Sequence, residues 1–243
     1  MRICLVEEIK YLKSEYNINY VLFEDELLMS SVGRTEKICN SFIKNKLNIK
    51  WCCNGRLNYA EKPLLKLMKN AGCVFINYGI ESMDDKVLKL MKKNLTVKQI
   101  KKGIEATLSA GISPGFNIIF GNIADNLNTL KKGVEFLLKY DDGAQLRTIR
   151  PVTPYPGCPL YYEAIRRGLL KDVEDFYENK HINSDLLSVN FTNLTDDEFH
   201  NALKKANIRL IKNYFSKLSE KTVSDAERLY SCKDASFRGV RQL

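Results

Sequence analysis

The chain has 243 residues, 44% hydrophobic and 10% aromatic, which is enough to bury a sizeable core and excludes a disordered or collagen-like polypeptide. Its formal charge is +9, from 38 Lys and Arg against 29 Asp and Glu, and its mean hydropathy is −0.28. No apolar run approaches the roughly twenty residues of a membrane-spanning helix, and Met1 to Val6 meets Glu7-Glu8 too early for a signal peptide, so a cytoplasmic protein with no membrane partner is expected.

The hydrophobic period then switches repeatedly between helix and strand. Val6 to Tyr16 carries a helical stripe and Tyr20 to Phe23 is a short strand. Ile38 to Leu47 reads as helix, Ile49 to Cys52 as strand, and Lys62 to Met68 as a helix closed by Ala71-Gly72. Cys73 to Ile80 is the next strand. Asp84 to Met91 and Val97 to Ala110 form a helix pair, the second capped by Thr96 and closed by Gly111. Gly115 to Phe120 reads as strand, Leu127 to Tyr140 as helix, Ala144 to Arg150 as strand and Pro159 to Arg167 as a short helix. Beyond Leu170 the chain turns irregular and polar up to Asn193, and Asp196 to Leu218 follows as a long helix capped by Thr195.

Strands that alternate with helices imply right-handed βαβ units and a parallel sheet, hence an α/β fold. A closed eightfold barrel takes about 250 residues, or roughly 31 per unit. The five strands, beginning near 19, 49, 73, 115 and 144, cannot close one. Because the chain opens on a helix, it reads either as an open sheet or as a sequence that starts part-way through a domain. Residues 1–170 are assigned to this partial barrel and residues 171–243 to a helical carboxy-terminal extension.

In such folds ligands sit beyond the carboxyl ends of the strands. The first end carries Glu24, Asp25 and Glu26, which suit an amine or ribose, or simply a turn cap. The second carries Gly55 and Arg56; the arginine is able to clamp a carboxylate or to serve as an ordinary surface residue. Glu81 and Ser82 end the third strand, and a ribose or amine site competes there with a helix cap supplied by Ser82 or Asp84. The fourth end, Gly121 to Asn126, lacks both dinucleotide and Walker spacing. Four prolines between Pro151 and Pro159, just after Arg150, stiffen the fifth into an extended loop whose backbone suits a planar ligand.

The seven cysteines, at 4, 39, 52, 53, 73, 158 and 232, include no CxxC pair, so neither a disulfide framework nor a local metal knuckle is expected. Cys52 and Cys53 read as buried small hydrophobes, and His181 and His200 as solvated side chains. The lysines fall on solvent faces of the expected helices, as at Lys62, Lys66, Lys69, Lys98, Lys101 and Lys102, without interleaved aromatics. Nucleic acid is therefore not expected as a partner.

Taken in order, Phe23-Glu24-Asp25-Glu26, Asn54-Gly55-Arg56, Ala71-Gly72-Cys73, Tyr78 to Ser82 with Leu88 and Met91-Lys92-Lys93, Ala110-Gly111-Ile112 and Pro154 to Tyr161 resemble the radical S-adenosylmethionine (radical SAM) superfamily, in particular members with an upstream cobalamin-binding domain. That resemblance implies a partial (β/α) barrel, missing its first strand, of a type that holds a [4Fe-4S] cluster and S-adenosylmethionine and acts on a small molecule. On this view Glu24, Asp25 and Glu26 fall where the family contacts the methionine amine. Arg56 and Glu81, with Ser82, fall where it holds the carboxylate and ribose, and Arg150 through Pro156 falls beside the adenine. The family's CxxxCxxC loop is not among the seven cysteines, so no metal ligand is assigned. Cobalamin would enter only through a domain outside this sequence. The expectation is the carboxy-terminal part of a radical SAM enzyme, not active by itself. The alternative is a non-catalytic S-adenosylmethionine or nucleotide-binding module. The first strand, having one open edge, is expected to invite self-association.

Overall fold

The computed structural model describes residues 2–25 and 27–233, so Glu26 of the expected site lies outside the described residues. The chain forms two compact units, Met1–Ala124 and Asp125–Leu243.

The first unit runs α1 (Arg2–Tyr16), β1 (Tyr20–Leu22), α2 (Val32–Lys44), β2 (Lys50–Gly55), α3 (Lys62–Asn70), β3 (Cys73–Glu81), α4 (Asp85–Leu90), α5 (Val97–Ser109) and β4 (Ser113–Phe120). The strands are parallel in the order β1, β2, β3, β4, as the alternation of strand and helix requires. Local chemistry sets the boundaries. Ser31 caps α2 by accepting the Arg34 N–H, which starts the helix six residues earlier than the apolar stripe alone suggests. Thr96 and Gln99 form a reciprocal capping box on α5. Gly72 ends the α3 turn at φ +97°, where an added Cβ would stand 2.0 Å from the Ile49 carbonyl oxygen.

One face of the sheet packs against the helices. Phe23, Phe42 of α2 and Trp51 form a three-ring cluster with centroids 5.8–6.1 Å apart. The Trp51 indole donates to the Ala71 carbonyl at 2.8 Å, and the buried Tyr78 hydroxyl meets that of Thr107 on α5 at 3.1 Å. Along β3, Ile76, Tyr78 and Ile80 belong to this buried face, whereas Phe75, Asn77, Gly79 and Glu81 are only half-buried and turn to the other. Cys52 and Cys53 are both buried, as expected of small hydrophobes.

The second unit holds α6 (Leu127–Lys139), β5 (Arg150–Pro151), α7 (Pro159–Arg166), a single turn α8 (Val173–Asp175) that continues into a π-helical turn at Phe176–Lys180, and α9 (Asp196–Cys232). Here the structure departs from the expected strand at 144–150, of which only Arg150 is strand, forming with Pro151 the two-residue β5. The segment before β5 is fixed by side chains instead. Arg147 bridges the carboxylates of Asp141 and Asp142 at 3.0 and 2.8 Å. The Asn207 amide of α9 accepts from the Ile149 N–H at 2.8 Å and donates to the Ile149 carbonyl at 2.9 Å. A side-chain amide thus satisfies the backbone groups that a neighbouring strand would otherwise take. Helix α9 also runs fourteen residues past the expected end at Leu218, because no Gly or Pro interrupts the chain between 218 and 232. The expected domain boundary at 170 falls inside this unit, since α9 is tied to Asp141 through Asn213 at 2.7 Å and Lys217 at 3.3 Å.

Candidate functional site

The sheet face turned away from the helices is layered by register. Leu22, Cys52, Phe75 and Ser113 stand side by side at one level. One level further along are Asn54, Asn77 and Gly115, and beyond them Gly79 and Asn117. A mostly apolar row therefore gives way to a row of amides toward the carboxyl ends. Asn77 donates to the Asn54 side-chain oxygen at 3.1 Å, and Asn54 donates to the Asp25 carbonyl at 3.2 Å, which ties the ends of the first three strands together. Glycine at 115 keeps this row close-packed, since a Cβ there would lie 2.6 Å from both Asn77 Oδ1 and Phe75 Cζ and 3.1 Å from the Asn77 Cα. Below this row, a side-chain hydrogen bond with Cys52 raises the Tyr20 phenol to about 12.

At the top of the face lies an ion pair. Glu81, the last residue of β3, accepts from Lys93 at 2.9 Å, and both side chains are largely withdrawn from solvent, at 20% and 29% exposure. The pair lies directly over Gly79: a Cβ on that glycine would be 2.5 Å from Glu81 Oε1 and 3.0 Å from Lys93 Nζ. Three non-glycine residues in left-handed conformation surround it, Glu81 at φ 68°, Lys92 at 54° and Asn94 at 55°. The register with β4 is irregular between Gly79 and Glu81. Left-handed backbone costs energy at such residues and persists only where its surroundings enforce it. Here the enforcing contacts are the turn after α4, in which Lys93 N–H bonds to the Leu88 carbonyl, and the tether from the Asn58 side chain to the Asn94 carbonyl at 3.5 Å.

The expected site residues distribute as follows around this pair. Glu24 is exposed and makes no ion pair among the described residues. Asp25 is exposed and faces Arg34 at 3.7 Å. The Arg56 guanidinium, exposed at the end of β2, also has no ion-pair partner among the described residues, so it is free to take an anion. Ser82 is 3% exposed, and its hydroxyl accepts the Asp84 N–H at 3.3 Å, while the Asp84 carboxylate caps α4. Of the two alternatives at this strand end, the cap belongs to Asp84 and the rim position to Glu81. Arg150 belongs to the second unit, where it is exposed and pairs with Asp185 at 3.1 Å. In the same unit Tyr155 of the proline-rich loop packs edge-on against Phe176 and His181, with centroids 5.9 and 5.3 Å away. His181, expected to be solvated, is instead half-buried and stacked on Phe176 at 5.1 Å; His200 is exposed as expected.

Sequence reasoning quoted Asn54 and Lys93 without giving either a role and passed over Asn77. The period-two alternation in Phe75-Ile76-Asn77-Tyr78 would have put the asparagine opposite the buried face. Nothing local pairs Lys93 with a residue twelve positions earlier.

The thiols are arranged for packing. Cys39, Cys52, Cys53 and Cys73 are buried, Cys158 is half-buried and Cys232 exposed. Burial pushes the Cys39 thiol up to about 12 and that of Cys73 well above the ordinary range. Among the described residues no three His, Cys, Asp or Glu side chains are placed to hold a metal ion. These residues do not fit an iron–sulfur cluster, which needs several thiolates converging on one point.

Parallel α/β folds offer their ligand sites beyond the carboxyl ends of the strands, and here that end carries a polar face and a charged rim. Residues 5–137, more than half of the chain, match the radical SAM superfamily, and the chain belongs to that family. Its fold is a partial (β/α) barrel of the radical SAM type. An uncharacterized methyltransferase of Pyrococcus horikoshii is 29% identical over 167 residues, 68% of this chain and 36% of its own length. The hopanoid C-2 methylase of Rhodopseudomonas palustris is 35% identical over 140 residues, 56% of this chain and 25% of its own. The chain thus spans about a third or less of the length of these curated relatives. Among solved structures, the radical S-adenosylmethionine methyltransferase TsrM from Kitasatospora setae, with cobalamin and a [4Fe-4S] cluster bound, superposes with TM-score 0.59 at 14% identity, covering 69% of this chain and 34% of that one.

Proposed function

We propose that this chain is the carboxy-terminal part of a radical SAM enzyme, that it supplies the rim against which S-adenosylmethionine is held, and that it does not assemble the cluster on its own. The observation that carries this reading is the built carboxylate at the end of β3. Glu81 is held over Gly79 on the sheet's open face, with the unpaired Arg56 guanidinium ending the adjacent strand. In the proposed roles Glu81 takes the ribose hydroxyls and Arg56 the methionine carboxylate. Glu24 and Asp25 take the amine. Ser82 keeps Glu81 in place through its turn. S-adenosylmethionine supplies the radical chemistry in the whole enzyme, and the names of the relatives make methylation of a small molecule the proposed reaction class. Cobalamin would be bound by a domain outside these residues.

A second reading, a metal-free S-adenosylmethionine-binding module, is favoured by one observation, the free Arg56 guanidinium. Calorimetry on the metal-free chain separates the two. On the proposed reading Arg56 and the strand-end acids close on the methionine end only when an iron outside these residues also holds it, so S-adenosylmethionine binds the metal-free chain within about tenfold of adenosine. A preference for S-adenosylmethionine of about a hundredfold or more establishes the module and overturns the proposed reading.

A further inference from the structure

We infer that Lys93 is a positioning residue for Glu81: it holds the carboxylate in the one orientation from which both oxygens can face a vicinal diol, and so sets the selectivity of the rim for ribose over deoxygenated sugars. This rests on the ribose role proposed for Glu81 and adds to it a residue that no strand-end pattern assigns. Three features carry it. First, the pair is close and mostly withdrawn from water, at 2.9 Å with 20% and 29% exposure, whereas the pairs Lys102–Glu61 and Lys10–Glu7 are open to solvent. An ion pair in the open is worth little and does not fix a side chain; one in this setting does. Second, space has been cleared for it, since any side chain at Gly79 would enter the volume taken by Glu81 Oε1 and Lys93 Nζ. Third, both ends of the bridge carry backbone cost, through left-handed Glu81 on one side and Lys92 and Asn94 on the other. A flexible lysine on an ordinary helix end needs none of this.

Lys93 bonds to one carboxylate oxygen, Oε1. That leaves the remaining lone pairs of Glu81 to accept from two adjacent hydroxyls, which is the hydrogen-bonding pattern of a ribose 2′,3′-diol. Without the ammonium, the carboxylate is free to leave its place over Gly79 and turn toward solvent, and the geometry for two simultaneous bonds is lost. A ligand lacking both hydroxyls does not register the difference.

The test is an NMR titration of the full chain with adenosine and with 2′,3′-dideoxyadenosine, for the native protein and the variants Lys93→Met, Lys93→Gln and Lys93→Arg. The expected result is a native preference for adenosine that falls by about tenfold in Lys93→Met and Lys93→Gln. Affinity for the dideoxy nucleoside stays unchanged, and Lys93→Arg recovers most of the loss. A loss that affects both nucleosides equally makes Lys93 merely structural and overturns the inference, as does an undiminished preference in whichever neutral variant folds. If the native chain itself shows no diol preference, the ribose role of Glu81 has failed first, and the inference falls with it.

Discussion

Two glycines of the first unit look alike in sequence and differ in what surrounds them. Gly72 is left-handed and faces a backbone oxygen 2.0 Å from where a Cβ would stand; Gly79 faces only the tips of Glu81 and Lys93. Backbone cannot retreat, but long side chains can. Gly72→Ala is therefore expected to destabilise the protein by more than about 1 kcal/mol. Gly79→Ala should leave thermal stability within about 0.5 kcal/mol yet abolish the preference for adenosine over its dideoxy analogue. Denaturation curves and nucleoside titrations check the pair, and equal stability losses at the two positions would contradict the placement of the ion pair. A second residue-scale outcome concerns pH. Burial raises the folded Cys39 thiol from 9.0 to about 12, so between those values the unfolded chain has released a proton that the folded chain retains. Stability from this group is complete below pH 9 and falls as pH rises toward 12. Replacing Cys39 with Val should flatten that alkaline fall in urea denaturation, and an unchanged slope would show that the thiol is not the cause. The position of Glu81 and Arg56 at strand ends was legible in the sequence because a strand end is a short-range feature. Lys93 was not, because its partner is brought to it by an intervening helix and a left-handed turn.

At the scale of elements, the proline-rich strand end depends on α9. Ile149 is 1% exposed, and its N–H and C=O both end on Asn207, fifty-eight residues later. Asn207→Ala leaves two buried backbone groups without their partner, at a cost of about 2 kcal/mol, and should lower the melting temperature by about 4–8 °C. Calorimetric scans give the value. A shift below about 1 °C would mean that the segment before β5 is held by Arg147 with Asp141 and Asp142 instead. This is also where sequence reading ran short. The apolar residues in 144–150 fit a strand, yet the backbone groups of Ile149 are taken by a side chain from another helix, and no local period records that. Caps were more transparent: Thr96 and Thr195 start their helices as expected, since a capping box is a three-residue signal. Helix α9 showed its start for the same reason and hid its end, because only Phe199, Leu203, Ala206 and Leu210 are buried, so the apolar stripe stops long before the helix does.

Over the whole molecule, the alternation of strands and helices gave the parallel α/β fold, and the family match confirms the resemblance carried by the strand-end strings. The division into units was not legible, since it falls between Ala124 and Asp125, within a short turn, and no linker marks it. One edge of the sheet has a physical consequence. Among the described residues β1 pairs only with β2 and displays Tyr20 at 46% and Leu22 at 57% exposure, an apolar edge of the kind that recruits another strand. A second copy of the chain is the expected occupant. Sedimentation velocity should show a mass that rises with concentration, and Leu22→Lys should return it to the monomer; a native chain that stays monomeric throughout contradicts this. On the proposed function, the chain carries the nucleoside-holding rim of a radical SAM enzyme without the thiols for its cluster. Anaerobic reconstitution with iron and sulfide, followed by metal analysis and dithionite-driven turnover of S-adenosylmethionine, tests it most directly. The expected result is no stoichiometric iron and no 5′-deoxyadenosine; about four irons per chain, together with reductive cleavage, would contradict it.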